Sequence, residues 1–197
     1  PGSLGMRAPL AARRAAGTRA LAVSLAVTPL VTLRLATSED ASLLERWDED
    51  PAVRPGDPAE WWQWRAELPA PGAPGDAWRA QYIAEAGGRP VGYVQVMDPF
   101  LDPQAYWGPG EDGSRRAVDI WIGAAADRGR GLGSAALAAA LARAFADPAV
   151  ETVVVDPLED NHRARRFYER AGLRLLEVRT FGRDRCAVHG VSRAEWA

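Results

Sequence analysis

Hydrophobic spacing divides this chain of 197 residues into short elements from residue 30 onward. Residues 30–36 alternate, with Val31, Leu33 and Leu35 on one face, which predicts a strand. Thr37, Ser38, Glu39 and Asp40 have helix-capping composition, and Leu43, Leu44 and Trp47 then form the apolar face of a first helix. Asp57 before Pro58 sets a cap ahead of a first-position proline, so a second helix is expected over 58–68. It carries Trp61, Trp62 and Trp64; at about 100° per residue, Trp61 and Trp64 share a face and Trp62 points elsewhere, so one of them is a candidate cleft wall. Residues 81–85 and 90–97 read as a hairpin around Gly87 and Gly88, and 98–115 as a long loop holding Trp107, Glu111 and Asp112. Two closing strands are expected at 174–180 and 185–191.

The centre of the chain is 118–173. An apolar strand at 118–123 leads to the glycine-rich loop 128–134, an alanine-rich helix at 135–146 and a strand at 152–156, which is a βαβ unit. A second loop and helix follow at 161–173. Helix N-termini leave amide N–H groups unpaired and carry partial positive charge, and glycine lets backbone approach an anion, so the first loop is a candidate phosphate site. Asp119 stands inside an apolar strand, where Asp is disfavoured. Two readings are open for it: a base that removes a proton from a bound ammonium, or an ion pair with a nearby arginine such as Arg115 or Arg116. Asp156, at a strand end before Pro157, either faces the same cleft or caps a turn.

Composition narrows the function classes. The 24 basic residues, all Arg, nearly balance 26 acids for a formal charge of −2, so no nucleic-acid partner is expected. The single Cys186 excludes an intrachain disulfide and fits a reducing compartment. Two His and one Cys give no metal-ligand spacing, and no metal is expected. Residues 1–5 read as a cloning scar and 6–28 as a disordered or loosely docked extension. Arg13 and Arg14 before the apolar run at 21–27 faintly resemble a signal sequence, but there is no clear cleavage site and the run is too short to span a membrane. One domain is expected over 29–197, as monomer or homodimer, without membrane association.

Arg128-x-x-Gly131-x-Gly133 resembles the acyl-CoA pyrophosphate loop of the GNAT N-acetyltransferases, and Asn161-x-x-Ala164-x-x-x-Tyr168-x-x-x-Gly172-Leu173 resembles their second motif, with Leu173 in place of Phe. The resemblance implies an α/β (α+β) fold with a mixed, mostly antiparallel sheet splayed at its centre, helices on both faces, and acetyl-CoA in the splay as co-substrate. It implies that amides of Arg128, Gly129, Arg130, Gly131, Leu132, Gly133 and Ser134 hold the pyrophosphate. Strand residues Ile120, Trp121 and Ile122 would offer amides to the pantetheine and the thioester carbonyl, one of them stabilising the oxyanion. Asn161 would anchor the pantetheine side, Ala164 would leave room for it, and Tyr168 would protonate the departing thiolate. A core aromatic with a satisfied hydroxyl is the alternative for Tyr168. Members of the family are cytoplasmic, which the single Cys allows.

Within that family the chain is similar to the aminoglycoside 6′-N-acetyltransferases. The matches are Tyr82-Ile83-Ala84 with Gly92-Tyr93-Val94-Gln95, the pair Tyr106-Trp107 followed by acids and Asp119, Phe145-Ala146-Asp147-Pro148 with Val150, Asp156-Pro157 before Asn161, and Trp61-Trp62. Gln104 stands where that group tends to carry a carboxylate, and Asp102 is the candidate substitute. The implied acceptor is a small cationic molecule, held by Asp102, Glu111, Asp112, Asp119, Asp156 and Asp184 and by the faces of Trp61, Trp62 and Trp107; a solvated acidic surface is the alternative for these acids. Siderophore-pathway enzymes acting on a hydroxylysine, protein or polyamine N-acyltransferases, and a non-catalytic CoA-binding protein are the competing readings.

Overall fold

The computed structural model describes residues 30–53, 63–108 and 113–196. A seven-stranded sheet runs through it: β1 (Val31–Leu35), β2 (Arg79–Ala86), β3 (Arg89–Met97), β4 (Arg115–Ile122), β5 (Thr152–Val155), β6 (Arg174–Phe181) and β7 (Asp184–Ser192). Their spatial order is β1-β2-β3-β4-β5-β7-β6. The β4–β5 pair is parallel and the other pairs are antiparallel. The helices are α1 (Ala41–Asp48), α2 (Trp64–Glu67), α3 (Leu132–Ala144), α4 (His162–Arg170) and α5 (Arg193–Trp196). The expected fold class and element order hold. The helix expected over 58–68 is realised among the described residues only as the short α2, because Gln63 is its non-helical cap; 54–62 lie outside the described residues, as do 1–29. Helix α3 begins three residues ahead of the expected 135 because its cap is Gly131. The short α5 has no counterpart in the sequence reading.

Local chemistry explains the joints. The β2–β3 turn uses Gly87 and Gly88 at φ of 59° and 76°, the left-handed pair that a two-residue hairpin needs. The turn into α1 is held by Asp40, whose carboxylate accepts from the Thr37 amide at 2.9 Å and from both terminal nitrogens of Arg34 at 2.6 and 2.8 Å. Arg34 also reaches Glu85 on β2 at 2.8 Å. On α3, Leu132, Ala136, Leu137, Ala140, Leu141 and Ala144 are buried against Val91, Val94, Val118, Val153 and Val155. Alanine on that face lets the helix lie close to the sheet. Arg193 closes the far end of α3 by donating to the carbonyls of Phe145 at 3.0 Å and Val150 at 2.9 Å. Among the described residues no helix is long and apolar enough to cross a membrane.

Two features place the site. Strand β4 pairs with β3 along Ala117–Ile122 but with β5 only along Arg115–Ala117. Beyond Ala117 the two central strands part. The far end of β4 is then fixed from outside. The Arg128 guanidinium donates to the carbonyls of Ile122 at 3.2 Å and Gly123 at 2.6 Å, and to Asp50 at 2.8 Å. Gly123 lies against the indole of Trp47, so close that a β-carbon there would sit 2.1 Å from the ring. Gly123→Ala is therefore expected to overpack this joint and destabilise the fold by about 1–3 kcal/mol. Thermal unfolding should show a fall of roughly 2–4 °C per kcal/mol for a domain of this size. An unchanged melting temperature would mean that Trp47 does not clamp the end of β4.

Candidate active site

The gap between β4 and β5 opens into two adjoining cavities. The smaller, of about 300 Å³, is lined by Val118, Asp119, Ile120, Trp121, Asp156, Pro157 and Tyr168. The larger, of about 500 Å³, lies under the 98–108 loop, and its wall includes Glu67, Asp76, Arg79, Gln95, Asp102, Tyr106, Trp107, Asp119 and Asp156. Asp119 and Asp156 line both. Strand pairing puts Asp119 opposite Gln95, and Pro157, which has no N–H, follows Asp156 just beyond the end of β5.

Asp119 is oriented by a polar chain through three strands. The buried Gln81 amide donates to the Tyr93 hydroxyl at 2.9 Å, Tyr93 donates to Gln95 Oε1 at 3.1 Å, and Gln95 Nε2 donates to Asp119 Oδ2 at 3.3 Å. The ring of Tyr93 also stacks on Trp121 at 4.4 Å, so the amide that meets Asp119 sits on a rigid aromatic base. Arg116, a candidate ion-pair partner for Asp119 from sequence, engages Asp98 at 3.4 Å and Asp147 at 3.2 Å. Tyr168 is buried, and burial together with the charges of Asp119 and Asp156 holds its phenolic proton above the ordinary range. Asp156 is in a different environment. Burial raises its carboxyl above the usual range, partly offset by the Tyr106 hydroxyl, which donates to Oδ2 at 3.0 Å.

The glycine-rich loop has the backbone its sequence demands. Gly129 and Gly131 take φ of 73° and 80°, and Gly131 caps α3, so the first-turn amides of Leu132, Gly133 and Ser134 point out of the helix end. The Arg128 amide is already bonded to the Ala125 carbonyl at 3.2 Å, so that residue supports the loop rather than presenting its amide. The Arg130 side chain lies within 3.4 Å of Asp127, which Arg89 also grips at 2.7 Å. Asn161 caps α4, its Oδ1 accepting from the Ala164 amide at 3.1 Å. Ala164 packs half-buried on the core, as does Ile122.

The residues expected on the acceptor side fall in different places. Asp184 does not reach the cleft; it lines a separate surface pocket with Leu158, Glu159, Asp160, Arg183 and Arg185. Asp102 lines the cleft, but its carboxylate accepts from the Gln104 amide at 2.9 Å and the Tyr106 amide at 3.2 Å and so shapes the loop. Trp107 is a buried wall residue packed edge-on against Phe181 at 4.9 Å. Trp61, Trp62, Glu111 and Asp112 lie outside the described residues. Sequence reading did not single out Glu67, Asp76 or Arg79, which form a cluster in the cleft with Arg79 bonded to Glu67 at 2.5 Å and Asp76 at 2.6 Å. Gln95 entered it only within the hairpin match and without a role, although an amide inside an apolar run was its signal.

The raised carboxyl of Asp156 has a sign that can be tested. A group whose folded pKa lies above its unfolded value stabilises the fold below the ordinary carboxylate range and loses that contribution as pH rises through the folded pKa. Above the ordinary carboxylate range this side chain therefore opposes folding. Asp156→Asn is expected to raise the melting temperature at pH 7, because the amide carries no charge for burial to penalise. The gain should vanish under acidic conditions, where Asp156 is neutral anyway. A lower melting temperature at pH 7 would contradict the assignment.

Comparisons with known proteins agree with this geometry. A family model described as an acetyltransferase (GNAT) domain matches residues 36–181. The aminoglycoside N(6′)-acetyltransferase type 1 of Klebsiella pneumoniae is 30% identical over 151 residues, spanning 72% of this chain and 73% of that protein. The protein of the same name from Serratia marcescens matches to the same extent. Among solved structures, aminoglycoside acetyltransferase AAC(6′)-Ib in complex with coenzyme A superposes with a TM-score of 0.72 at 28% identity, over 84% of this chain and 96% of that one. Its complex with coenzyme A and kanamycin gives 0.73 at 27% identity with the same coverage. The splayed sheet, the glycine-capped helix and the two-motif match all lead to one assignment: the chain belongs to the GNAT family and is an N-acetyltransferase.

Proposed function

We propose that the protein transfers acetyl from acetyl-CoA to a primary amine of a polycationic small molecule, namely the 6′-amine of an aminoglycoside. The observation that carries this reading is the junction of the two cavities at Asp119 and Asp156. It supports a site in which a cationic acceptor meets a second substrate across two carboxylates. The relatives crystallised with kanamycin and coenzyme A, and with ribostamycin and coenzyme A, support the same pairing of ligands.

The residues present fit acetyl-CoA. The left-handed Gly129 and Gly131 and the first-turn amides of α3 suit a pyrophosphate, and the gap beside Ile120, Trp121 and Tyr168 suits a narrow chain ending in a thioester. When bound, it supplies an activated acyl carbonyl. An ammonium is not nucleophilic, so the acceptor must lose a proton first. Asp119, oriented by Gln95, takes it. Tyr168 is protonated at neutral pH and gives its proton to the thiolate. Positive charge arriving beside Asp119 and Asp156 offsets the negative field that helps retain that proton, so Tyr168 becomes a better acid when acceptor is present. Asp156 receives a second ammonium of the acceptor, beside the aromatic wall of Tyr106 and Trp107.

Thiol release from acetyl-CoA tests this directly. Turnover is expected with kanamycin and not with a 6′-hydroxyl analogue. Asp119→Asn should lower kcat by roughly 10²–10⁴-fold at neutral pH, and the deficit should shrink as pH approaches the pKa of the amine, which then needs no base. Release only with a hydroxylysine or a peptide amine would overturn the acceptor assignment. Undiminished turnover in the Asp119 variant would remove it from the role of base.

A further inference from the structure

We propose that Tyr106 is a positioning residue for the acceptor: its hydroxyl fixes the Asp156 carboxylate in the orientation that receives the second ammonium. The proposal rests on the functional reading above. It starts from the loop that carries the tyrosine. The Asp102 carboxylate binds the amides of Gln104 and Tyr106 at 2.9 and 3.2 Å, and the Ala105 amide bonds back to the Asp102 carbonyl at 2.9 Å. Ala105 is thereby held at φ 49°, a left-handed conformation that an alanine adopts only when its surroundings impose it. The product of this strained turn is a fixed place for Tyr106. Its ring stacks almost parallel on Phe181, at 4.7 Å and 10°.

The hydroxyl then has a defined direction. It lies 3.0 Å from Asp156 Oδ2 and 3.9 Å from Cys186 Sγ. A phenol has one proton, and an ionised carboxylate can only accept. Tyr106 therefore donates to Asp156, and the weak thiol donor of Cys186 faces the phenol oxygen at 3.9 Å and the Asp184 carbonyl at 4.0 Å. This arrangement orients the carboxylate without neutralising it. An arginine in the same place would do the opposite, since its own charge would occupy the cation site. The arginine that does line this cavity, Arg79, is bound by Glu67 and Asp76. Because the phenol engages Oδ2 and a carboxylate offers about four lone-pair sites over its two oxygens, an ammonium can bind while Tyr106 stays in place.

Tyr106→Phe removes the hydroxyl and keeps the ring on Phe181. Steady-state kinetics of the full-length protein with kanamycin and acetyl-CoA, for wild type, Tyr106→Phe, Asp156→Asn and the double variant, close a thermodynamic cycle. The expected result is a KM for kanamycin raised roughly tenfold by loss of a hydrogen bond to a charged group, with the KM for acetyl-CoA moved less than twofold. In the Asp156→Asn background the same change should have no further effect on the kanamycin KM. A kanamycin KM that stays put in Tyr106→Phe, or one that rises equally with and without the Asp156 carboxylate, overturns the proposal. Wild-type enzyme that does not turn over kanamycin removes the functional reading and this proposal with it, and that failure is visible before any substitution is made.

Discussion

The site depends on one departure from regular sheet pairing. β4 stays bonded to β3 as far as Ile122 but leaves β5 after Ala117. A strand with one unpartnered edge is a liability unless something holds it, and here the holding is done from the β3 side and from the far end. Arg128 grips the last carbonyls of β4, and Trp47 packs flat on Gly123. β5 ends just before Asp156 and Pro157. The gap is therefore a rigid consequence of two differently anchored strands, and whatever binds there meets fixed walls.

Within that gap the same residue type is held in two contrasting ways. Asp119 is oriented by the end of an amide and hydroxyl chain that begins on β2. Asp156 is half-buried, raised in pKa and oriented by a phenol from a strained loop. Tyr168 lies beside both, its phenolic proton held by burial and by their negative field.

Much of this was legible in the sequence where backbone or solvation forces a residue choice. Gly129 and Gly131 stand at positive φ, which few other residues tolerate, so their spacing announces the helix cap. Asp119 in an apolar strand and Asp156 before a proline were conspicuous for the same reason, as polar groups where burial is expected. Acids on loops and hairpin ends carried no such information. Asp184 sits beside a turn and faces another pocket, while Glu67 and Asp76 reach the cleft through long-range packing that local pattern does not encode. The role of Gln95 depended on the β3–β4 register, and that of Tyr106 on a loop whose shape is set by Asp102 and Ala105.

The central claim is that two adjoining compartments hold both substrates at once, so that transfer is direct. Calorimetric titration of kanamycin into the protein, alone and saturated with coenzyme A, tests it. One kanamycin site should be found in both titrations, with comparable or tighter affinity in the presence of coenzyme A. Mutual exclusion of the two ligands would contradict the account, because the amine and the acyl carrier could then never face each other across Asp119.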